Sequence, residues 1–283
     1  FFSPLIGFKE GSSASADVFL PRGFKIVSGR ALALGNLNYP PDDVSPPRDD
    51  AHFDLRENLI RLQIEFSTKV TAPEVITLTQ GNFAFNAVKR YEGYASDILG
   101  LFNRVHDNLV DLFNVTLEKV EAQFFIPDFN AFLSLGGYVP FTGGKIGAIH
   151  INVAFSRYIK GVFEVIALHE LVHHFLLKTG ISPDDLLWFH EGMAQYVMHW
   201  YPPGYEGALS EKDRLEESAA QINKSTGGNL NFLLQWKPGD LPPNIGSYYA
   251  AAYYVTSKLA EKHGGLEYYT HFFQLVKGKE VKD

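Results

Sequence analysis

Two histidines and a glutamate between residues 169 and 173 have the types and spacing of a metal site. The segment reads His169-Glu170-Leu171-Val172-His173. On an α-helix, positions i and i+4 share a face, so both imidazoles can point at one ion. Glu170 lies beside that face, where a carboxylate can take a proton from water. This pattern favours metal-assisted hydrolysis. The alternative is two histidines making ordinary hydrogen bonds on a buried helix.

The motif must lie on a helix for this chemistry, and its surroundings predict one. Residues 161–178 are largely apolar, Lys178 suits the last turn, and Gly180 supplies a stop. A second helix is predicted from Leu186 to about Trp200. It is preceded by a capping serine, a proline and two acids, and it is followed by two prolines and a glycine.

A third ligand is predicted on this second helix. Zinc in a catalytic site uses three protein ligands and keeps one position open. The turn between the helices is short, so they should lie antiparallel. Two residues that lie opposite each other in such a pair have numbers that add to twice the number at the midpoint of the turn. Glu191 is then level with His169 for a midpoint of 180 and with His173 for a midpoint of 182. We therefore predict one Zn²⁺ ion held by His169, His173 and Glu191.

The rest of the chain indicates an α+β fold with segregated layers. Residues 1–83 are predicted as a β-rich N-terminal region, with its best strand at Ile60–Ser67, where apolar and polar residues alternate. Residues 84–283 are predicted as the catalytic domain. That domain would begin with a helix over 84–114, continue with strands near 119–126 and 146–155, and end in helices.

Composition narrows the classes of partner and site. The chain has 283 residues, a net charge of −7 and no cysteine. Disulfides and thiolate ligands are thus excluded, and the negative charge argues against nucleic-acid binding. No apolar stretch is long enough for a membrane span. The lack of cysteine is compatible with export, and we expect an extracellular or cell-surface location.

The motif and the segment after it resemble the gluzincin zinc metallopeptidases of the peptidase MA-like superfamily, which includes the aminopeptidase N and thermolysin groups. Residues 188–194 read Trp-Phe-His-Glu-Gly-Met-Ala, similar to the family pattern W-x-x-E-G-x-A. The resemblance covers about 84–265. It implies a mixed-sheet subdomain and a helical subdomain flanking a zinc cleft, with Glu170 as general base and a peptide or protein as substrate.

The resemblance also implies a tyrosine that stabilises the oxyanion. Counting back from Gly264-Gly265 places Tyr249 at that position, with Tyr248 and Tyr253 as close competitors. The alternative is that all three are packing residues.

Residues that support the ligands and the substrate are predicted less directly. Gluzincins often carry a carboxylate four residues beyond the third ligand, and this chain has Gln195 there, whose amide could orient a histidine. His174 and His190 are interpreted as packing groups or as supports for the ligands.

The resemblance makes the strand Gly147–Val153, with Ala148 and His150, the edge that binds an extended peptide. No acid occurs between residues 129 and 163, where the aminopeptidases hold a free amine. This departure favours an endopeptidase.

The sequence leaves two other functions open. One is a zinc-binding protein without turnover that uses the cleft to hold a partner. The other is an architectural or cell-surface protein in which residues 1–83 carry the main role. Residues 1–83 could also act as an inhibitory pro-segment.

Overall fold

The chain divides into two compact units. The computed structural model describes residues 6–7, 14–21, 23–33, 42–55, 59–68, 74–125, 136–142, 144–153, 162–200, 206–240, 242 and 244–277. One unit consists of Phe1–Pro73 and Asp128–Leu133, and the other of Glu74–Pro127 and Ser134–Asp283. The division falls before residue 74 rather than at the expected 83/84, because residues 75–88 pair into the sheet of the second unit.

The first unit is built from strands. In chain order they are β1 Ile6–Gly7, β2 Ala14–Phe19, β3 Phe24–Ala33, β4 Asp42–Arg48, β5 Asp50–Leu55 and β6 Leu59–Thr68. Four of them form a sheet in the order β1-β6-β3-β4, and β2 pairs with β5. A small core contains Ile26, Phe53, Leu62 and Ile64. The predicted strand at Ile60–Ser67 is confirmed as part of β6.

The second unit contains a mixed five-stranded sheet in the order β10-β13-β9-β8-β7. Its strands, together with the β11–β12 pair, are β7 Val75–Gln80, β8 Phe83–Val88, β9 Val120–Phe125, β10 Gly137–Tyr138, β11 Phe141–Thr142, β12 Lys145–Ile146 and β13 Ile149–Asn152. Strands β8, β9 and β13 run parallel, while β7 and β10 are antiparallel to their neighbours.

The helices of the second unit are α1 Glu92–Phe113, α2 Val162–Lys178, α3 Pro183–Trp200, α4 Glu206–Ser225, α5 Ile245–His263 and α6 Leu266–Val276. Short 3₁₀ turns lie at Lys89–Tyr91 and Asn231–Gln235. Among the described residues, no helix is long and apolar enough to cross a bilayer. The structure is thus a mixed sheet with helices, as the predicted α+β class requires.

The helix predicted from residue 84 is wrong at its beginning. Residues 83–88 form β8, and α1 starts only at Glu92. Phe83, Phe85 and Ala87 alternate onto the buried face of the sheet, where Phe83 packs against Phe102 of α1. A period of two, rather than 3.6, therefore governs this segment.

Candidate metal centre

Helix α2 carries the motif and is tightly packed in the core. Six residues of α2 have no exposed surface: Ala167, Leu168, Leu171, Val172, Phe175 and Leu176. These residues belong to the main core, and α2 packs against α1, α3, β10 and β13. The predicted helix over 161–178 is confirmed. Close packing of this kind holds the motif side chains in place.

The turn after α2 brings α3 back beside it. Gly180 has φ of +95°, a conformation that glycine adopts without strain, and the Ile181 N–H donates to the Leu176 carbonyl at 3.3 Å. Ser182 Oγ accepts a hydrogen bond from the Asp184 N–H at 3.2 Å, as a helix cap. Helix α3 continues to Trp200 after a break at Leu186. The predicted second helix is confirmed.

His169, His173 and Glu191 meet at one point between the two helices. One ligand atom from each lies within 4.8 Å of the others. Glu191 Oε2 lies 3.1 Å from His169 Nε2 and 3.8 Å from His173 Nε2. Each side chain is only 13–15% exposed. The level predicted for Glu191 from the turn midpoint is confirmed.

The pKa shifts of these residues follow from burial and from the pairing of the histidines with Glu191. Burial lowers the pKa of His173 to about 3, so its ring is neutral. Burial also acts to lower the pKa of His169, but the hydrogen bond and charge of Glu191 outweigh it and leave that pKa above its ordinary value. Burial acts to raise the pKa of Glu191, but His173 and His169 outweigh it and the pKa falls. The hydrogen bond between His169 Nε2 and Glu191 Oε2 would be broken when a cation binds these two atoms.

The donor set fits zinc. Two imidazole nitrogens and one carboxylate oxygen form a known catalytic zinc set, and three protein ligands leave a coordination position open. With no cysteine in the chain, softer thiolate chemistry is excluded. The residues present therefore fit Zn²⁺.

Glu170 lies beside this group but is not a member of it. It is 5% exposed, and burial, reinforced by Glu191 and opposed by His169, raises its pKa to about 8. Strand β10 covers it closely. A Cβ on Gly137 would lie 2.9 Å from Glu170 Cγ and 3.0 Å from its Oε1. Gly137 was not identified from the sequence, although the paired glycines at 136–137 are a visible signal of close backbone approach.

The three candidate tyrosines of α5, which also contains Tyr254, have surroundings that overlap only in part, since Tyr248 and Tyr249 both contact Trp236. Tyr253 hydrogen-bonds Glu216 and packs edge-on against His199. Tyr248 packs against Phe232 and Trp236.

Tyr249 lies near the carboxylates of the site. The charge of Glu191, then burial, then the charge of Glu170 raise its pKa, so its phenol stays protonated. A protonated phenol can donate a hydrogen bond.

Gly192 sets the distance between α3 and α5. A Cβ at this position would lie 2.6 Å from the Ala252 carbonyl oxygen and would also clash with Thr256 Oγ1. Because Gly192 follows Glu191 and Ala252 lies three residues beyond Tyr249, this crossing holds the ligand and the phenol near one another.

The histidine-orienting role expected for Gln195 stays a prediction. Gln195 is 5% exposed, but no hydrogen bond joins it to His169 or His173 in the described part of the chain. The partner of His173, apart from Glu191, is His190.

The edge strand expected at Gly147–Val153 also requires correction. Strand β13 is paired on both sides, with β9 and β10, so the sheet edge formed by the described strands on this side is β10. His150 stacks on Tyr138 at 4.4 Å and hydrogen-bonds Gln123. Since Gly137 faces Glu170, its neighbour Tyr138 and the paired His150 lie on the opposite face of the sheet. Ala148 precedes β13. Neither residue has the edge position on which its expected substrate role depended.

Comparisons with known proteins give a structural likeness only. The sequence matches no protein-family model and no curated protein. Solved structures of yeast leukotriene A4 hydrolase are similar over most of this chain, each at 10% sequence identity. The structure in complex with bestatin has a TM-score of 0.48 and covers 95% of this chain. A native structure from Saccharomyces cerevisiae has a TM-score of 0.47 and covers 93% of this chain. Another native yeast structure has a TM-score of 0.49. This chain spans 40–42% of the length of those proteins.

Proposed function

We propose that this chain is a zinc-dependent peptidase that cleaves peptide bonds within a chain. The observation that carries the proposal is the meeting of His169, His173 and Glu191 within 4.8 Å, with Glu170 adjacent and outside the ligand group. A zinc ion held by these three ligands would supply Lewis-acid activation of water and of the scissile carbonyl. A hydrolase needs in addition a base and a donor for the developing oxyanion.

We assign these two roles to Glu170 and Tyr249. Glu170 takes a proton from the attacking water and delivers it to the leaving amine. Tyr249, kept protonated by the neighbouring carboxylates, donates a hydrogen bond to the carbonyl oxygen as charge develops there. The low exposure of Glu170 excludes bulk water from the proton transfer.

The substrate would lie along β10. This strand is a sheet edge within the described residues and runs directly over Glu170. An extended peptide added to such an edge is held by main-chain hydrogen bonds, which tolerate many sequences. The lack of any acid between residues 129 and 163 leaves this side without a group for a free amino terminus, which favours internal cleavage.

The second candidate is a zinc-binding protein without turnover that holds a partner in the same cleft. The test incubates the zinc-loaded chain and its Glu170→Gln variant with a diverse peptide library and reads cleavage by mass spectrometry. We expect internal cuts by the wild type and none by Glu170→Gln, with equal zinc content. Cuts by both proteins would refute Glu170 as the base. Zinc bound without cuts by either would favour the partner-binding role.

A further inference from the structure

His190 is next to the ligand Glu191 in sequence but contacts a different ligand. It is 1% exposed. Its Nδ1 lies 3.4 Å from His173 Nδ1, and its Nε2 lies 2.8 Å from the carbonyl oxygen of Ile181. The two imidazole planes are inclined by 15°, and the ring centroids are 5.6 Å apart. The Nδ1 atoms are much closer than the centroids, so the rings meet edge to edge in nearly one plane, as an N–H···N hydrogen bond requires.

The direction of each hydrogen bond follows from what the atoms can do. A carbonyl oxygen only accepts, so His190 Nε2 carries a proton and donates it to Ile181. A ring this deeply buried without a carboxylate partner is neutral, because an unpaired buried cation is costly. Neutral His190 has one ring proton, and its Nδ1 must therefore accept. His173 Nδ1 is then the donor of the second hydrogen bond.

This assignment leaves the lone pair of His173 on Nε2. That atom faces Glu191 Oε2 at 3.8 Å, inside the ligand group. We propose that His190 is a positioning residue that fixes His173 in its Nδ1–H tautomer and aims the Nε2 lone pair at the metal. The inference rests on the zinc site of the proposed function. Ile181 lies in the turn between α2 and α3, so the same turn that places Glu191 anchors the orientation of His173.

The test measures zinc affinity of the full chain by competition with a chromophoric chelator. Substitution His190→Phe keeps a ring but removes both nitrogens, and we expect zinc to bind about 10–100-fold more weakly. His190→Asn, whose amide oxygen can accept from His173, should recover part of this loss. The matched control is His174→Phe. His174 is also buried and adjoins a ligand, and its Nε2 has no hydrogen-bond partner among the described residues. We expect its affinity to equal that of the wild type.

A second readout uses the unmodified protein and does not depend on folding of a variant. In ¹⁵N NMR of the zinc-bound chain, His173 should show a protonated Nδ1 and a metal-bound Nε2. Coordination through Nδ1, or unchanged affinity in a folded His190→Phe protein, would overturn the role of His190. A wild-type chain that binds no zinc would instead refute the proposed function.

Discussion

The helices and the strand that surround Glu170 are held in place by different means. The ligands lie on α2 and α3, which are consecutive and joined by the turn at Gly180. Strand β10 reaches Glu170 as part of a sheet whose neighbouring strands are distant in sequence. The comparison indicates that local helix geometry places the metal ligands, whereas sheet order shapes the space over the base.

The largest effect is expected on the helical side, at Tyr249. Tyr249→Phe removes the proposed oxyanion donor and should lower kcat about 10²–10³-fold with zinc content unchanged. The measurement is steady-state cleavage of a peptide identified from the library.

The matched control for this change is Tyr248→Phe, since Tyr248 lies on the same helix and shares the contact with Trp236. Equal losses in the two variants would contradict the assignment of the donor to Tyr249.

On the strand side, Gly137→Ala should lower kcat about 10²-fold. The new Cβ would press on Glu170 Cγ and Oε1 and displace the base, and small misplacements of reacting groups are costly. Zinc content and the thermal midpoint check that the site and the fold remain.

Gly136→Ala, at the residue before β10, is the control, because the three atoms nearest to its Cβ all belong to the side chain of Ile166. A variant Gly137→Ala with full activity would mean that β10 does not confine the base.

The crossing of α3 and α5 should be sensitive to a single methyl group. Gly192→Ala forces a Cβ against the Ala252 carbonyl and Thr256, so we expect a loss of about 1–3 kcal/mol in the free energy of unfolding. Denaturant unfolding measures it.

Gly93→Ala in α1 meets no atom within 4 Å and should raise stability by up to about 1 kcal/mol, as an alanine does in a helix. A stable Gly192→Ala protein would contradict the close crossing.

The smallest effect is expected at His150. Its ring lies on the sheet face opposite to Glu170, stacked on Tyr138, so His150→Ala should leave kcat and KM of the library peptide unchanged. A raised KM would restore the substrate role first expected for this strand.

The contrast between the ligand helices and strand β10 also separates what could be predicted from the sequence from what could not. The ligand set was accessible because an i,i+4 pair, a short turn and one acid at the right distance are local features. The edge position of β10 was not, because the sequence does not state which strands pair. The contact of His190 with His173 could not be predicted in detail, since it depends on how α2 and α3 are rotated about their own axes. Residues 83–88 were misread because their alternation of buried residues is short and runs into a true helix.

The central claim is that His169, His173 and Glu191 hold one zinc ion. Zinc K-edge X-ray absorption of the purified chain, with metal content per chain, tests it most directly. We predict one zinc ion, two imidazole ligands at about 2.0–2.1 Å and the remaining ligands oxygen, with metal lost in Glu191→Ala. A chain that retains no zinc, or a Glu191→Ala protein with the same zinc content and spectrum, would contradict the account.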